Sequence, residues 1–572
     1  MAPKFNKRGG VKQRLGIGRG ALAKRSRTDI GEFLVESHLS GALSSHQLRE
    51  GARAAGESAG GLATLVTASM DKTRTRKGKT KPDTRGDKRM VLRFLRKKSK
   101  LYPPMRCEIP MWDVASNKQV MTPMNVYPPH ETLHALVPEG RESEWASFDE
   151  TQQGFRQSLA DWSTRTGTNL HGFWMCLALW GDSAPHTKKD SLYLLTYRVL
   201  NGTRRRRVWI AALSKRSLCR CGCFGRHTFD GLFGVLAWSM KALASGVWPH
   251  RNHLNQPFSK DDWRSGWAKQ DMRFRGAVIA KNGDWAWHKQ TLGMRGWQER
   301  HLCWLCTATL YDRDFTANGL RRLNARTMSA FLASAYSGTQ YLSKLFTVPG
   351  FVLDYILPDF MHTVCLGVLQ YLMGNVFWFC FRKLDGTFAR HKEACTVLLS
   401  MLNLVAAELG LEKPLADLVV TMFRPAMNKK PRMRLKAAEG RALLPIMTTM
   451  LGRYFPNENE REEMQFQCCQ AMCRVYYELR NWGPSSPTRL ELAARHHLLL
   501  YVQLSDGEPE GSVLWHLYPK HHLFVHVARS QTNPALLWNY ADEDEIGRAV
   551  RQAKACNPKW LHTSLLERYR VL

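Results

Sequence analysis

The stretch His171–Pro185 reads HGFWMCLALWGDSAP, and we expect it to decide the fold. The segment Phe173–Trp180 is apolar throughout, and a short apolar run of this composition is typical of a buried β-strand. The run continues directly into Gly181 and Asp182. The sequence therefore predicts a carboxylate at the edge of a sheet.

A similar pattern returns further along the chain. Arg275–Trp287 reads RGAVIAKNGDWAW, another β-rich run that leads into Gly283 and Asp284. Two strands that each bring an aspartate to one sheet edge would supply the oxygen ligands of a divalent-metal site. Taken singly, each Gly-Asp pair is also typical of an ordinary turn.

Charge indicates the class of partner. The 572 residues carry a formal net charge of +34 and are 44% hydrophobic, enough for a large core. Such an excess of positive charge favours a polyanionic partner, nucleic acid first and an anionic membrane second.

We see no secretory signal in the basic first 27 residues, so the 14 cysteines are expected as reduced thiols or metal ligands. The uncharged run Thr363–Phe381 could span a membrane by length, but a buried helix is favoured.

Residues 1–100 are predicted to be basic and largely disordered, with a short helical segment at 28–57. Within them, Asp71–Lys100 holds fourteen Lys and Arg residues. Such a run is typical of a solvated linker, and it could also act as a nuclear-localisation signal and a phosphate-binding arm. The candidate contacts to a DNA backbone are Arg74, Arg76, Lys77, Lys79, Lys81, Arg204, Arg205 and Arg206.

The order of elements predicts the α/β class. After an irregular and helical lead-in at 101–170, a domain beginning at 171–300 has three strands, a helix and a fourth strand. The predicted strands are Phe173–Trp180, Ser191–Leu200, Arg207–Leu213 and Arg275–Ala280, with a helix over Phe229–Val247. Short connections predict that the first three strands form an antiparallel meander. A CxxC and helical region at 301–435, helices at 436–505 and a mixed segment at 506–572 follow.

Cysteine and histidine spacing indicates a zinc site. Cys303-x-x-Cys306 has zinc-knuckle spacing but supplies only two of four ligands. The remaining ligands could come from His362, or from Cys219, Cys221, Cys223 and His227; a pair of buried thiols is the alternative. The histidines His516, His521, His522 and His526 could bind metal or phosphate, but we interpret them as surface and core residues.

Two further motifs combine acidic and basic residues at helical spacing. Asp359 and His362 could bridge a metal or orient each other, and the alternative is that Asp359 caps a helix. Lys436, Glu439 and Arg441 lie at the start of a predicted helix, where a glutamate is also favoured by the helix dipole.

Taken in order, these motifs resemble those of eukaryotic DNA transposases of the CACTA (En/Spm-like) group and of related transposase-derived proteins found in many copies in some protist genomes. Gly181-Asp182-Ser183-Ala184-Pro185 is similar to that group's Gly-Asp-Gly-Val-Pro, and Gly283-Asp284-Trp285-Ala286 to its Gly-Asp-Leu-Pro-Ala. Cys303-x-x-Cys306, Asp359-x-Met-His362 and Lys436-Ala-Ala-Glu439-x-Arg441 resemble motifs that follow there. The resemblance runs from about residue 171 to 526.

The resemblance implies an RNase H-like mixed sheet with a large helical insertion and a helical C-terminal region. It implies a DDE triad of Asp182, Asp284 and Glu439 that binds Mg²⁺ or Mn²⁺, with Asp359, Lys436 and Arg441 in support. It further implies that Cys303, Cys306 and His362 could hold zinc. The activity implied is cleavage at transposon ends and transfer of the 3′ hydroxyl to target DNA, in the nucleus, by a homo-oligomer, with no membrane partner.

Two alternatives stay open at this point. The chain could be a catalytically inactive or domesticated transposase-derived DNA-binding protein, because substitutions such as Trp285-Ala286 stand beside the acidic residues. It could also be a different RNase H-like nuclease. Glu408 and Glu478 are further candidates for the third acid.

Overall fold

The computed structural model describes residues 99–203, 206–338, 341–385, 391–413 and 415–570, and the backbone of 73–76 and 79–82. The predicted helix at 28–57 lies outside the described residues, as do Lys77, Arg204 and Arg205. The described chain is a mixed helix-and-sheet protein with one small mixed sheet, which is compatible with the predicted α/β class.

The strands of the described chain form two hairpins and one four-stranded sheet. They are β1 (Thr73–Arg76), β2 (Lys79–Pro82), β3 (Met105–Asp113), β4 (Lys118–Val126), β5 (Trp174–Thr187), β6 (Asp190–Val199), β7 (Arg207–Ser214) and β8 (Arg275–Asn282).

Helices of the first half of the chain are short, apart from two. They are α1 (Pro129–Leu136), α2 (Ser143–Ala146), α3 (Gln153–Thr166), α4 (Arg226–Ser245), α5 (Trp285–Leu292), α6 (Ala317–Arg322) and α7 (Met328–Tyr336). The second half is mainly helical. Its helices are α8 (Met361–Asp385), α9 (His391–Glu408), α10 (Val420–Phe423), α11 (Ala437–Tyr454), α12 (Glu460–Arg480), α13 (Ser486–Asp506), α14 (Pro519–Ala528), α15 (Tyr540–Ala553) and α16 (Leu561–Tyr569).

The four predicted strands are confirmed, and they form one sheet of order β7-β6-β5-β8. The first three are antiparallel neighbours, as the short connections predict, whereas β8 runs parallel to β5. Beyond β8, Ile356 makes a parallel bridge to Lys281, and the Leu357 N–H donates to the Lys281 carbonyl at 3.1 Å. The segment around Ile356 therefore extends the sheet by one further strand position.

Helices cover both faces of this sheet. Alternate residues of a strand face opposite sides, and Tyr193 and Tyr197 of β6 contact Phe229 of α4 and Thr132 of α1 on one side. On the other side, Trp209 of β7 stacks on Tyr569 of α16. Helix α15 also contacts β5 and β6, so the chain returns from its helical half to complete the sheet domain.

The hairpin of β3 and β4 was not predicted, because the segment 101–170 was expected to be irregular and helical. Strand β3 alternates buried and exposed residues, the period of a half-buried strand. Pro110, which pairs with Met121, and Pro123, which pairs with Glu108, obscure that period in the sequence.

The helical half has a hydrophobic core of its own, built mainly from α8, α9 and α11 to α14. Helix α8 is the one described helix long and apolar enough to cross a membrane by length and composition, but 83% of its most apolar window is buried inside the protein. The burial expected for Thr363–Phe381 is thus confirmed. Helix α8 begins with a π-helical segment, Met361–Val368, a distortion that often occurs at functional sites.

Candidate acidic site and metal centre

Strand register brings Asp182 and Asp284 to one level of the sheet. Trp180 of β5 pairs with Asn282 of β8 in a parallel ladder, and each aspartate follows two residues later. Strand β5 continues past this point alongside β6, whereas β8 ends and Asp284 caps α5 by accepting a hydrogen bond from the Trp287 N–H at 2.6 Å. The expected pair of aspartates therefore lies at one level of neighbouring strands, with Asp284 just after the end of β8 and Asp182 within β5.

Trp287 explains the glycine before each aspartate. A Cβ atom on Gly181 would overlap the Trp287 ring, and one on Gly283 would lie 2.6 Å from the Trp287 Cδ1 atom. The indole, 3% exposed, thus packs against both Gly-Asp pairs at once, one within β5 and one after β8. This packing holds the two aspartate-bearing segments together. It also excludes any side chain at positions 181 and 283, so both residues must be glycine.

The carboxylate that joins Asp182 is Glu543, which the sequence analysis did not select. One ligand atom each of Asp182, His362 and Glu543 lies within 4.8 Å of the others. Glu543 is in the first turn of α15, which two neighbouring residues fasten to β7. The Arg207 Nε donates to Asp542 at 2.7 Å, and the Trp209 Nε1 donates to Glu545 at 2.9 Å.

Asp359 positions both His362 and the start of α15. Its Oδ2 accepts hydrogen bonds from the His362 N–H and lies 2.8 Å from His362 Nδ1. Its Oδ1 accepts from the Asn539 N–H at 3.1 Å. The sequence left two roles open for Asp359, as a helix cap or as a partner of His362. Its buried carboxylate has both roles, because it binds the His362 N–H and the His362 ring.

Electrostatics show that the acidic groups need a positive partner. Burial first, and then the charges of Asp284 and Glu543, raise the pKa of Asp182 to about 8. Burial lowers the pKa of His362, but the hydrogen bond and charge of Asp359, with Glu543 and Asp182, raise it overall to about 9. Protonated His362 is therefore a cation within 4.8 Å of the carboxylates of Asp182 and Glu543.

The donor set fits a divalent cation. The Oε1 atom of Glu543 is buried without a hydrogen-bond donor among the described residues, although His362 Nε2 lies 3.6 Å away. Burial also raises the pKa of Glu543. Carboxylate oxygens are the ligands that Mg²⁺ and Mn²⁺ take in proteins. Asp182, Asp284 and Glu543 are the residues that would hold such ions.

Glu439 has a different local role. Its carboxylate accepts a hydrogen bond from the Lys436 N–H at 3.0 Å and caps the start of α11, with the Lys436 Nζ 3.6 Å away. Arg441 stacks over Trp538 and Tyr540 instead of approaching the acids.

The other candidates for the third acid also lie away from Asp182. The carboxylates that raise the pKa of Asp182 most are Asp284 and Glu543, and Glu439 is not in the cluster around Asp182. Glu408 and Glu478 form ion pairs with arginines elsewhere.

A cavity of about 340 Å³ opens beside Asp284, Asp359 and His362. Its walls are largely aromatic, formed by Trp285, Trp297, Trp304, Tyr371 and Tyr518. Lys520 and Arg432 add positive charge, and the Lys520 Nζ donates to the His362 carbonyl at 2.7 Å. Flat aromatic walls with cations beside acidic residues suit a nucleotide, which offers a base to stack and a phosphate to neutralise.

Cys303 and Cys306 meet two histidines of α14. Cys303 Sγ lies 3.3 Å from His526 Nε2, Cys306 Sγ lies 3.3 Å from His522 Nε2, and the two imidazole nitrogens are 3.1 Å apart. The prediction that His362 is the third zinc ligand is wrong, since His362 lies with Asp182 and Glu543. The interpretation of His522 and His526 as plain core and surface residues also needs correction.

This second group fits zinc. Two thiols and two imidazoles within 4.8 Å of one another form the Cys₂His₂ set of structural zinc sites. The hydrogen bond from Cys303, followed by those from the imidazoles, lowers the pKa of Cys306, and burial lowers that of His526. Burial raises the pKa of Cys303, so the shifts favour the thiolate at Cys306 and the neutral imidazole at His526, the forms that bind zinc. The signal in the sequence was the His-x-x-x-His spacing, which puts both rings on one helical face.

The candidate DNA-backbone residues are only partly described. Arg206 is exposed just before β7. Arg74, Arg76, Lys79 and Lys81 belong to β1 and β2, where the backbone alone is described.

No protein-family model matches the chain, and no curated protein matches it.

Proposed function

We propose that this protein is an RNase H-like DNA nuclease and strand transferase of the DDE type, similar to the CACTA group of transposases. The sheet supports this fold assignment. Three antiparallel strands, a helix and a fourth strand parallel to the first are the arrangement that an RNase H-like domain requires, and the segment at Ile356 stands where a fifth strand would lie.

One observation carries the proposal. Asp182 and Asp284 lie at one level of neighbouring parallel strands, and Glu543, from a helix far along the chain, lies within 4.8 Å of Asp182. The charges of Asp284 and Glu543 both raise the pKa of Asp182. Carboxylates gathered in this way, in a chain of net charge +34, are suited to phosphodiester chemistry on a polyanion.

The proposed triad is Asp182, Asp284 and Glu543, with Glu543 in the position that the sequence motif gave to Glu439. The helical insertion is then longer than the sequence suggested. It runs from the end of the sheet near Ile356 to the start of α15, and Glu439 lies within it as the cap of α11.

Each side chain has a defined task in this proposal. When bound, divalent cations would activate the attacking hydroxyl and stabilise the leaving oxygen of the phosphodiester. Asp182, Asp284 and Glu543 bind the cations, and Asp359 fixes the ring of His362 beside them. Lys520 and Arg432 neutralise phosphate charge in the cavity, where the aromatic walls stack a base.

Zinc has a structural part in the same proposal. Cys303 and Cys306 precede the helical half, and His522 and His526 lie near its end on α14. A zinc ion bound by all four would fasten the two ends of the insertion to each other and to the sheet domain. We further propose that the protein acts in the nucleus, on the basis of the basic run Asp71–Lys100.

The test measures cleavage and joining by the purified full chain. Supercoiled plasmid and an oligonucleotide with a free 3′ hydroxyl are incubated with Mg²⁺ or Mn²⁺, and nicked and joined products are separated. We expect metal-dependent nicking and joining. We expect Asp182→Asn, Asp284→Asn and Glu543→Gln each to lower the rate by about 100-fold or more, a loss of about 3 kcal/mol of transition-state stabilisation.

Glu439→Gln is the matched control and is expected to keep most of the activity. Activity that depends on Glu439 and not on Glu543 would reassign the triad. Nicking without joining would favour a different RNase H-like nuclease. Tight DNA binding with no metal-dependent nicking in the unmutated protein would favour the DNA-binding alternative and remove the enzymatic proposal.

A further inference from the structure

A third group of potential ligands lies in the loop between β7 and α4. The loop reads LCRCGCFGRH, and it brings Cys219, Cys221, Cys223 and His227 together with one ligand atom of each within 4.8 Å of the others. It shares no residue with the Cys₂His₂ group on α14. None of its four ligand residues lines the cavity beside the acidic site.

The distances in this loop fit a tetrahedral metal site. Cys219 Sγ lies 3.3 Å from Cys221 Sγ and 3.7 Å from His227 Nδ1, and Cys221 Sγ lies 3.3 Å from the same nitrogen. Zinc bonds of about 2.0–2.3 Å place tetrahedral ligand atoms about 3.3–3.8 Å apart. A disulfide would need the sulfurs at about 2.05 Å, so Cys219 and Cys221 remain free thiols.

The backbone of the loop is shaped to bring the thiols together. Gly222, Phe224 and Gly225 all have positive φ angles, of 94°, 54° and 87°. Phe224 is a bulky residue in this strained region, although its side chain is 77% exposed and has little packing to hold it there. The Gly225 N–H donates to the Cys219 carbonyl at 3.1 Å, which closes the turn.

A neighbouring side chain supports the ligands from outside the loop. The Oε1 atom of Gln119, on β4, accepts a hydrogen bond from the Cys219 thiol at 3.0 Å and lies 3.0 Å from His227 Nδ1. These contacts keep the two ligand atoms close together in the absence of a metal. The Thr228 hydroxyl, which accepts from the Cys219 N–H, donates in turn to the Pro110 carbonyl of β3. The loop is therefore fastened to the β3–β4 hairpin.

We propose that Cys219, Cys221, Cys223 and His227 form a second zinc site, which fixes the start of α4 and the β3–β4 hairpin beside the sheet. Three thiols with one imidazole select a soft divalent cation such as Zn²⁺ over Mg²⁺ or Ca²⁺. Because two of the ligands are on the surface, zinc can enter without unfolding the protein.

The site has a second consequence, which rests on the proposed function. A groove beside the loop is lined by Lys215, Arg220, Arg226 and Lys289 together with Phe224, and it shares Ala286 and Trp297 with the cavity at the acidic site. The zinc loop would hold these cations and the exposed ring where DNA leaving the acidic site could contact them.

The first measurement is zinc content of the full chain, by mass spectrometry of metals after a wash with a weak chelator. We expect two zinc ions per chain. Cys221→Ser combined with His227→Ala should leave one, and Arg220→Ser combined with Phe224→Ser, in the same loop, should keep two. Retention of one zinc by the unmutated protein, unchanged by loss of Cys221 and His227, would overturn the proposal.

A second measurement does not disturb the loop. In Cys303→Ser combined with Cys306→Ser, bound Co²⁺ should show sulfur-to-cobalt charge transfer of three thiolates in a tetrahedral spectrum. An octahedral spectrum, or no cobalt binding, would contradict the assignment.

DNA binding tests the second consequence separately. Arg220→Ser combined with Phe224→Ser should weaken binding of a DNA duplex about tenfold while zinc content stays at two. Unchanged DNA binding would remove the contact role and leave the zinc site intact. Failure of the nuclease proposal would appear instead as lost nicking with normal zinc content.

Discussion

At the scale of single residues, the Asp182 carboxyl group of the acidic site can bind a proton or, in our proposal, a metal ion. Asp182 has a pKa raised to about 8 by burial and by two neighbouring carboxylates, so it is largely protonated at neutral pH. Because this pKa is higher in the folded chain than in the unfolded chain, ionising Asp182 without a cation destabilises the fold as pH rises toward 8. In our proposal, a divalent cation would reverse that effect by binding the ionised form.

Metal affinity should therefore depend on pH. Binding of Mn²⁺ must release the proton of Asp182, so the dissociation constant measured by calorimetry should fall by about tenfold per unit between pH 6.5 and 7.5. Loss of the charge of His362, whose pKa is about 9, should strengthen binding further at higher pH. Glu439→Gln should leave the profile unchanged, and an affinity that is flat over this range would count against the site.

The two aspartates could be predicted from the sequence, but Glu543 could not. Asp182 and Asp284 each follow a local strand pattern, and local patterns are visible without the fold. Glu543 stands in the acidic start of a helix, where acidic residues are common because of the helix dipole. Only the ion pair of Arg207 with Asp542 and the packing of α15 on β5 distinguish it.

At the scale of elements, α14 and the CxxC segment are the pieces that join the helical half to the sheet domain. His522 and His526 are one helical turn apart on α14 and reach Cys306 and Cys303, more than two hundred residues earlier. The sequence identified the cysteines by their spacing. The His-x-x-x-His spacing was also visible, but nothing local connects these histidines to cysteines so far away in the chain. The β3–β4 hairpin was missed for a different reason, since its prolines interrupt the strand pattern.

Removing the Cys₂His₂ ligands should loosen that connection. We expect His522→Ala combined with His526→Ala to lose one zinc ion per chain and to destabilise the protein by several kcal/mol, because metal binding and folding are coupled. Thermal unfolding and limited proteolysis check this, with new cleavage expected between the two halves. His496→Ala, on the neighbouring helix α13, is the control; equal stability of all three proteins would show that the cluster is not structural.

At the scale of the whole molecule, a strongly basic chain carries a small acidic site. The net charge of +34 and the run Asp71–Lys100 predict binding driven by release of counterions from DNA. The proposal of a polyanionic partner rests on composition alone. The acidic site, in contrast, is complete only because the chain returns to the sheet in α15 after the long helical half.

The affinity for DNA should consequently fall steeply as the salt concentration rises. A protein that neutralises about 6–10 phosphates loses about 10³–10⁵-fold in affinity between 50 and 200 mM salt, and we expect this range by fluorescence anisotropy. Changing Arg74, Arg76, Lys77, Lys79 and Lys81 to Gln should reduce the slope by up to about 0.9 per residue. The exposed Lys392 and Lys413 serve as control positions; an equal reduction from those changes would contradict a binding role for the basic run.

Cleavage of the protein's own backbone by bound Fe²⁺ tests the identity of the acidic site most directly. Fe²⁺ takes the place of Mg²⁺ or Mn²⁺, and with ascorbate and peroxide it generates hydroxyl radicals that cut the chain near its ligands. We expect cuts near Asp182, Asp284 and Glu543 that excess Mg²⁺ suppresses. Cuts near Glu439 in place of Glu543, or cuts that Mg²⁺ does not suppress, would contradict the account.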